Sequence, residues 1–216
     1  MGYMVYFTIV RADTVVNSPY NQRQEAFAEK VVRGSIVDRN GNVLAETVVS
    51  EDGTETRNYP YGSLFAHVIG YSDPELGNTG LESVENFELL TSNAFFVEKL
   101  RNEFSGDKNI GDTVVTTLDA GLQQAAYDAL GDNKGAAVVM EADTGKILAM
   151  VSKPDYNPNT IVSDWSELNS DDVNAPLLNR ATQGSYAPGS TFKIVTTLAF
   201  MRQNSNYNAY TYDCNG

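Results

Sequence analysis

The sequence predicts an α+β fold, and three observations carry that prediction. "VVRGSIVDRNGNVLAETVV" and "GAAVVMEADTGKILAMVS" each place two β-rich apolar runs on either side of a Gly-containing turn. Between them, "DAGLQQAAYDALG" carries the start and stop signals of a helix. The 216 residues, 42% hydrophobic and 20% charged, are long and apolar enough to bury a core.

The first hairpin turns at Asp38-Arg39-Asn40-Gly41, where Asn-Gly supplies the positive φ angles of a tight turn. The second turns at Asp143-Thr144-Gly145, a likeness of turn chemistry and not a repeat. Asp119 caps the helix and Gly131 ends it, with Leu122, Ala125, Ala126, Ala129 and Leu130 along one face. "ESVENFELLTSNAFFVEKLRNEF" has interrupted helical spacing, and "SGDKNIGD" reads as a loop. "SKPDYNPNT" is a proline-rich loop, and "SDWSELNSDDVNAP" is polar and exposed. A domain boundary fits best near residues 111–120, where loop chemistry gives way to the helix-then-hairpin pattern.

Lys+Arg 15 against Asp+Glu 28 leaves a net charge of −13, which argues against a nucleic-acid backbone as partner. Cys214 is the only cysteine, so the chain can form no internal disulfide and no Cys-based metal site. His67 is the only histidine and sits in "LFAHVIGY", read here as an apolar strand with a structural His. No cofactor or metal is expected. "MGYMVYFTIV" is too short to span a bilayer and lacks a basic n-region. It reads equally as an ordinary buried segment or as the last turns of a membrane anchor.

The chemistry concentrates in "NRATQGSYAPGSTFKIVTTLAFM", where Lys193 is the single charge between Thr191 and Met201. Pro188-Gly189 sets the helix start at Ser190 or Thr191. The apolar residues beyond it leave no wide polar face, which predicts a central, buried helix. Lys193 follows Ser190 by three residues, so both share one face, continued by Thr197. A desolvated lysine favours its neutral form and can take a hydroxyl proton, which makes Ser190 a nucleophile. The helix N-terminus adds positive potential where an oxyanion would form. The spacing alone is weak: Ser105-Gly106-Asp107-Lys108 matches it too, but in a Gly/Asp loop that desolvates nothing. The bland reading of Lys193 is a snorkelling side chain at a helix edge.

"YAPGSTFK" preceded by "LLNRA" resembles the active-site box of the penicillin-binding transpeptidases. "RGSIVDRNGNVLA" is similar to the opening of the N-terminal module of the class B members. "GNTGLE", "TTLDAGLQQAAYDAL" and "GAAVVMEADTGKILAMVSKPDYNPN" match family stretches in the family's order. The resemblance runs from about Arg33 to Gly216. It implies an extended β-rich pedestal module followed by the first part of a transpeptidase domain of the serine β-lactamase-like fold. It also implies a D,D-transpeptidase that cross-links peptidoglycan stem peptides and is trapped by β-lactams. Ser190 is then the acyl-enzyme nucleophile and supplies one oxyanion donor through its backbone N–H, and Lys193 is its base.

The implied division is a juxtamembrane remnant over 1–30, the pedestal over 31–115 and an incomplete transpeptidase part over 116–216. The implied setting is the extracytoplasmic face of a bacterial membrane, reached through a missing anchor, with a cell-wall glycosyltransferase as partner. Ala142 stands where the family's hairpin often has proline, and Asn157 where aspartate is common. Neither S-x-N nor K-[ST]-G occurs after the box, so the chain reads as an N-terminal piece, inactive alone. The rivals are a non-catalytic pedestal fragment, a β-lactamase or β-lactam sensor, and an aspartic peptidase built on Asp143-Thr144-Gly145 in a homodimer. "RGSIVDRNGNVLA" argues against the β-lactamase or sensor, which lacks that module, and the hairpin turn explains Asp143 without a protease.

Overall fold

The computed structural model describes Tyr6 and residues 31–92 and 108–214. The readings of 1–30 as a juxtamembrane segment and of Ser105 as a decoy lie outside these residues, Tyr6 apart. The chain divides into two compact units, Met1–Gln183 and Gly184–Gly216.

In the first unit, β1 (Val31–Val32) and β2 (Ile36–Val37) lead into the long β3 (Val43–Val49) and β4 (Glu55–Asn58). The β2–β3 hairpin closes where Asn-Gly predicts it, with Gly41 at φ +86°. Asp38 organises this turn. Its carboxylate accepts from the backbone of Asn40 and Asn42 and from Asn42 Nδ2, at 2.8–2.9 Å. A fourth bond comes from Ala120 N at 3.2 Å, which ties the turn to the helix start. Burial opposes ionisation of Asp38, but these donors outweigh it and hold the carboxyl below its usual value.

Next come α1 (Ala66–Ile69), β5 (Ser72–Asp73), β6 (Gly77–Asn78), α2 (Gly80–Val84) and α3 (Asn86–Leu89). The expected strand around His67 is therefore corrected to helix. Gly62 and Gly70, both at positive φ, bracket the run into a 3₁₀ turn followed by α1. A short continuous apolar run does not fix its own period. At Gly70 a side chain would also meet the Thr79 carbonyl at 2.1 Å.

β7 (Asn109–Ile110) pairs parallel with β1, and β8 (Val114–Val115) pairs parallel with β2. The "SGDKNIGD" stretch thus contributes a short strand. The first unit's four-stranded sheet runs β4-β3-β2-β8. α4 (Ala120–Leu130) starts at Asp119, whose carboxylate accepts from Gly121 N and Leu122 N, and ends at Gly131, as the sequence predicts. Its facing differs from expectation. Leu122, Ala125 and Ala129 point outward, whereas the fully buried residue is Gln123. Gln123 Nε2 donates to the carbonyls of Leu64 (2.7 Å) and Met150 (2.9 Å), and its Oε1 accepts from Met150 N (2.8 Å). A polar side chain wins the interior because it saturates backbone groups that an apolar one would leave unpaired.

β9 (Gly135–Met140) and β10 (Ile147–Lys153) form the second predicted hairpin. α5 (Ile161–Ser170) follows, largely exposed but resting Trp165 and Leu168 on the core. α6 (Arg180–Gln183) closes the unit. One hydrophobic cluster runs through it, from Ile36, Leu44 and Phe65 through Leu118 to Tyr156 and Ile161. This core runs across residues 111–120, where the composition of the chain changes.

Candidate active site

The Ser190 segment begins with a backbone constraint. Pro188 holds φ −65°, and Gly189 follows at φ +53°, a left-handed conformation that disfavours a Cβ. A 3₁₀ turn over Gly189–Phe192 then runs directly into α7 (Lys193–Gln203). Thr191 N donates to the Pro188 carbonyl at 3.2 Å, and Lys193 N–H donates to the carbonyls of Ser190 and Thr191. Ser190 and Lys193 so occupy successive turns at the start of a continuous helical run. The expected start at Ser190 or Thr191 falls inside the 3₁₀ turn, which opens one residue earlier at Gly189, and the α-helix itself begins at Lys193.

The expected burial is not met. Ser190 and Lys193 are both exposed. Phe192 is 51% exposed, Ile194 68%, Val195 52% and Leu198 54%, so nothing within this unit covers the apolar surface of α7. Near the C-terminal end of the helix, the Phe200 and Tyr210 rings meet edge to face at 4.8 Å. The desolvation that a base role for Lys193 would need is not supplied by residues 184–214.

In the first unit, the segment that leads to the box is tightly held. Arg180 is buried, and its guanidinium donates to the carbonyls of Ala175 (3.1 Å), Leu178 (3.4 Å) and Asn174. Its backbone N–H donates to Ser152 Oγ, which in turn donates to the Leu178 carbonyl. Asn179 Nδ2 donates to the His67 carbonyl at 2.9 Å. Sequence reasoning missed this cage, because an isolated arginine in a polar stretch looks like surface.

The two N-terminal stretches "RGSIVDRNGNVLA" and "GNTGLE" also meet. Fully buried Glu82 accepts from Arg33 Nε at 2.6 Å and from Arg57 Nε at 2.8 Å. Burial pulls the Arg33 guanidinium down, and Glu82 opposes it. At the second hairpin, Asp143 is an exposed residue of the turn closed by Gly145 N on the Glu141 carbonyl. Among the described residues, no group of three or more His, Cys, Asp or Glu could hold a metal ion.

Comparison with known proteins bears on the same stretches. The family model described as "Penicillin binding protein transpeptidase domain" matches residues 135–216. "Penicillin binding protein A dimerisation domain" matches residues 33–114, so the two together account for more than two thirds of the chain. The chain belongs to the class B penicillin-binding protein family. The family includes the Peptidoglycan D,D-transpeptidase PbpA of Mycolicibacterium smegmatis, 38% identical over 90% of this chain and 42% of its own. MrdA of Acinetobacter baumannii, also named a peptidoglycan D,D-transpeptidase, is 40% identical over 64% of this chain and 25% of its own.

Among solved structures, penicillin-binding protein A of M. tuberculosis as an imipenem acyl-enzyme complex superposes with TM-score 0.72 at 35% identity. It covers 81% of this chain and 43% of its own. A D,D-transpeptidase domain from Eggerthella lenta reaches TM-score 0.69 at 42% identity, over 81% of this chain and 38% of its own. The chain thus spans less than half the length of each of these four relatives. The family departure at Asn157 is absorbed locally, since its side chain accepts from Asn159 N at 3.0 Å as an aspartate would.

Proposed function

We propose that this chain carries the acylation half of a peptidoglycan D,D-transpeptidase, with Ser190 as nucleophile and Lys193 as its base. The observation that carries the reading is the Gly189–Lys193 turn, lying inside the span that matches the transpeptidase model. The proposed division is a juxtamembrane segment over 1–30, a pedestal module over 31–115 and a transpeptidase part over 116–216.

The chemistry is acyl transfer. Ser190 Oγ attacks the carbonyl carbon of a stem-peptide amide while the Lys193 amine takes its proton. The tetrahedral oxyanion accepts hydrogen bonds from the backbone N–H of Ser190 and from a second donor. The C–N bond then breaks, and the leaving amine takes up a proton. The amine of a second stem peptide attacks the ester, forms the cross-link and frees Ser190. A β-lactam follows the first step through its ring amide and stays attached. Lys193 acts as a base only where a covering surface desolvates it.

The motifs S-x-N and K-[ST]-G do not occur in residues 191–216. By the family resemblance, the strand bearing K-[ST]-G supplies the second oxyanion donor. Losing one such donor costs about 10²- to 10³-fold in rate, so residues 1–216 alone acylate slowly. For that isolated chain, the exposure of Ser190 and Lys193 favours a second reading: a non-catalytic interaction module of a cell-wall synthesis complex, with a glycosyltransferase as partner. The proposed location is the extracytoplasmic face of the bacterial membrane. Among the described residues, no helix is long and apolar enough to cross a membrane.

The test is labelling by a fluorescent penicillin in a chain that also carries the two later motifs. Ser190→Ala abolishes labelling. Lys193→Ala slows it by about 10²- to 10⁴-fold, the usual worth of general-base assistance. Loss of labelling in Ser105→Ala, with Ser190 intact, overturns the assignment.

A further inference from the structure

The β2–β3 turn carries a reactive pair that the acylation reading does not use. Asn40 and Gly41 are adjacent and both exposed. Among the described residues, no other asparagine is followed by glycine. Gly41 sits at φ +86°, and a Cβ built on it would meet nothing within 4 Å, so its backbone nitrogen is open to approach. The Asn40 carboxamide is held loosely, by one exposed bond of 3.3 Å from Nδ2 to Asp119 Oδ2. Asp52-Gly53 in the next turn is a poorer electrophile. Hydrogen bonds from Thr54 keep the Asp52 carboxyl below its usual value, and an ionised carboxylate resists attack by an amide nitrogen.

We propose that Asn40 is a self-modification site gated by Asp38. The Gly41 nitrogen attacks Asn40 Cγ, and the new C–N bond closes a five-membered imide. Nδ2 leaves as ammonia, taking the proton that the Gly41 amide gives up. Water then opens either imide C–N bond, its hydroxyl going to the carbon and its proton to the nitrogen. One opening yields aspartate. The other yields isoaspartate, in which the backbone runs through the side-chain carbon.

Asp38 sets the rate. Gly41 N donates to the Asp38 carbonyl at 3.1 Å, and Asn40 N and Asn42 N donate to Asp38 Oδ1 at 2.8 and 2.9 Å. An amide committed to such a bond is not free to attack, so the reaction waits on opening of the turn. The product then changes the turn. A carboxylate at residue 40 replaces the donor that faces Asp119 with a like charge. Isoaspartate also lengthens the backbone by one carbon, which shifts the Asn42 amide away from Asp38. The same Asp38 carboxylate accepts from Ala120 N at 3.2 Å, so the modification loosens the tie between the hairpin and α4. This inference stands apart from the acylation reading and survives its failure.

The test incubates the 216-residue chain in mildly alkaline buffer, folded and in denaturing urea, and maps the digest by mass. Peptide mapping keeps residue 40 separate from the second Asn-Gly pair at Asn215-Gly216. The folded chain is expected to gain one dalton on the peptide containing residue 40, with isoaspartate exceeding aspartate. Its rate is lower than in urea by about tenfold or more, the factor set by opening of the turn. Asp38→Asn narrows that gap. Asn42→Ala, an exposed change that removes the 2.9 Å bond from Asn42 Nδ2 to Asp38, narrows it too and guards against unfolding of the first variant. Asn40→Gln abolishes the product in both conditions. In the modified fraction, separated by its extra charge, amides at the start of α4 exchange hydrogen faster. Aspartate without isoaspartate, equal rates folded and in urea, unchanged exchange in α4, or no product at residue 40 of the folded chain overturns the proposal.

Discussion

Glu82 faces two guanidinium groups with no access to water, and that arrangement fixes what its loss does. Glu82→Ala leaves the largely covered Arg33 and Arg57 without a counter-charge, and breaking a buried pair from one side costs about 3–5 kcal/mol. Chemical denaturation is expected to show a loss of that size, with Arg33→Met/Glu82→Leu recovering part of it. His67 makes a prediction of a different kind. Its folded pKa lies below the unfolded value near 6.5, so between those values the unfolded chain binds the extra proton. Stability from this residue is complete above pH 6.5 and is lost as pH falls through the folded value. His67→Gln removes that part of the pH dependence. An unchanged acid limb between pH 6.5 and 5 contradicts the assignment.

At the scale of elements, the hairpins were legible because Asn-Gly and Asp-Thr-Gly are local signals that tertiary context rarely overrides. The cap at Asp119 and the stop at Gly131 were legible for the same reason. The facing of α4 was not. Its apolar stripe suggested a core face, but the interior choice fell to Gln123, whose three bonds link Leu64 and Met150 across the sequence. No pattern of hydrophobicity encodes backbone groups that need a partner. Gln123→Leu is therefore expected to destabilise by about 3 kcal/mol despite its greater apolarity, measured as a shift in urea midpoint at unchanged slope. Gly189→Ala tests the turn before Ser190. A side chain there meets no neighbour but must hold φ +53°, at about 1–2 kcal/mol, so local protection of α7 against hydrogen exchange falls.

For the whole molecule, the sequence showed the Ser190-Lys193 pair but not the exposed setting in which this chain holds it. Burial is a property of everything packed around an element, and the apolar run of α7 says only that it suits an interior. With Ile194, Val195 and Leu198 all more than half exposed, the isolated chain is expected to self-associate with rising concentration. Ile194→Lys with Leu198→Glu should return it to monomer in sedimentation velocity. The proposed division near residues 111–120 follows a change of composition, which says nothing of whether packing crosses it. Leu118 instead joins one core with Ile36 and Tyr156.

If Ser190 is the acylated residue, a penicillin adduct maps to it. A chain bearing these residues together with S-x-N and K-[ST]-G is incubated with penicillin, digested and mapped by mass, beside residues 1–216 alone. One adduct is expected per longer chain, on the peptide containing Ser190, with acylation slower by about 10²-fold or more in residues 1–216. A stoichiometric adduct on any other residue contradicts it, as does equally fast acylation of the 216-residue chain.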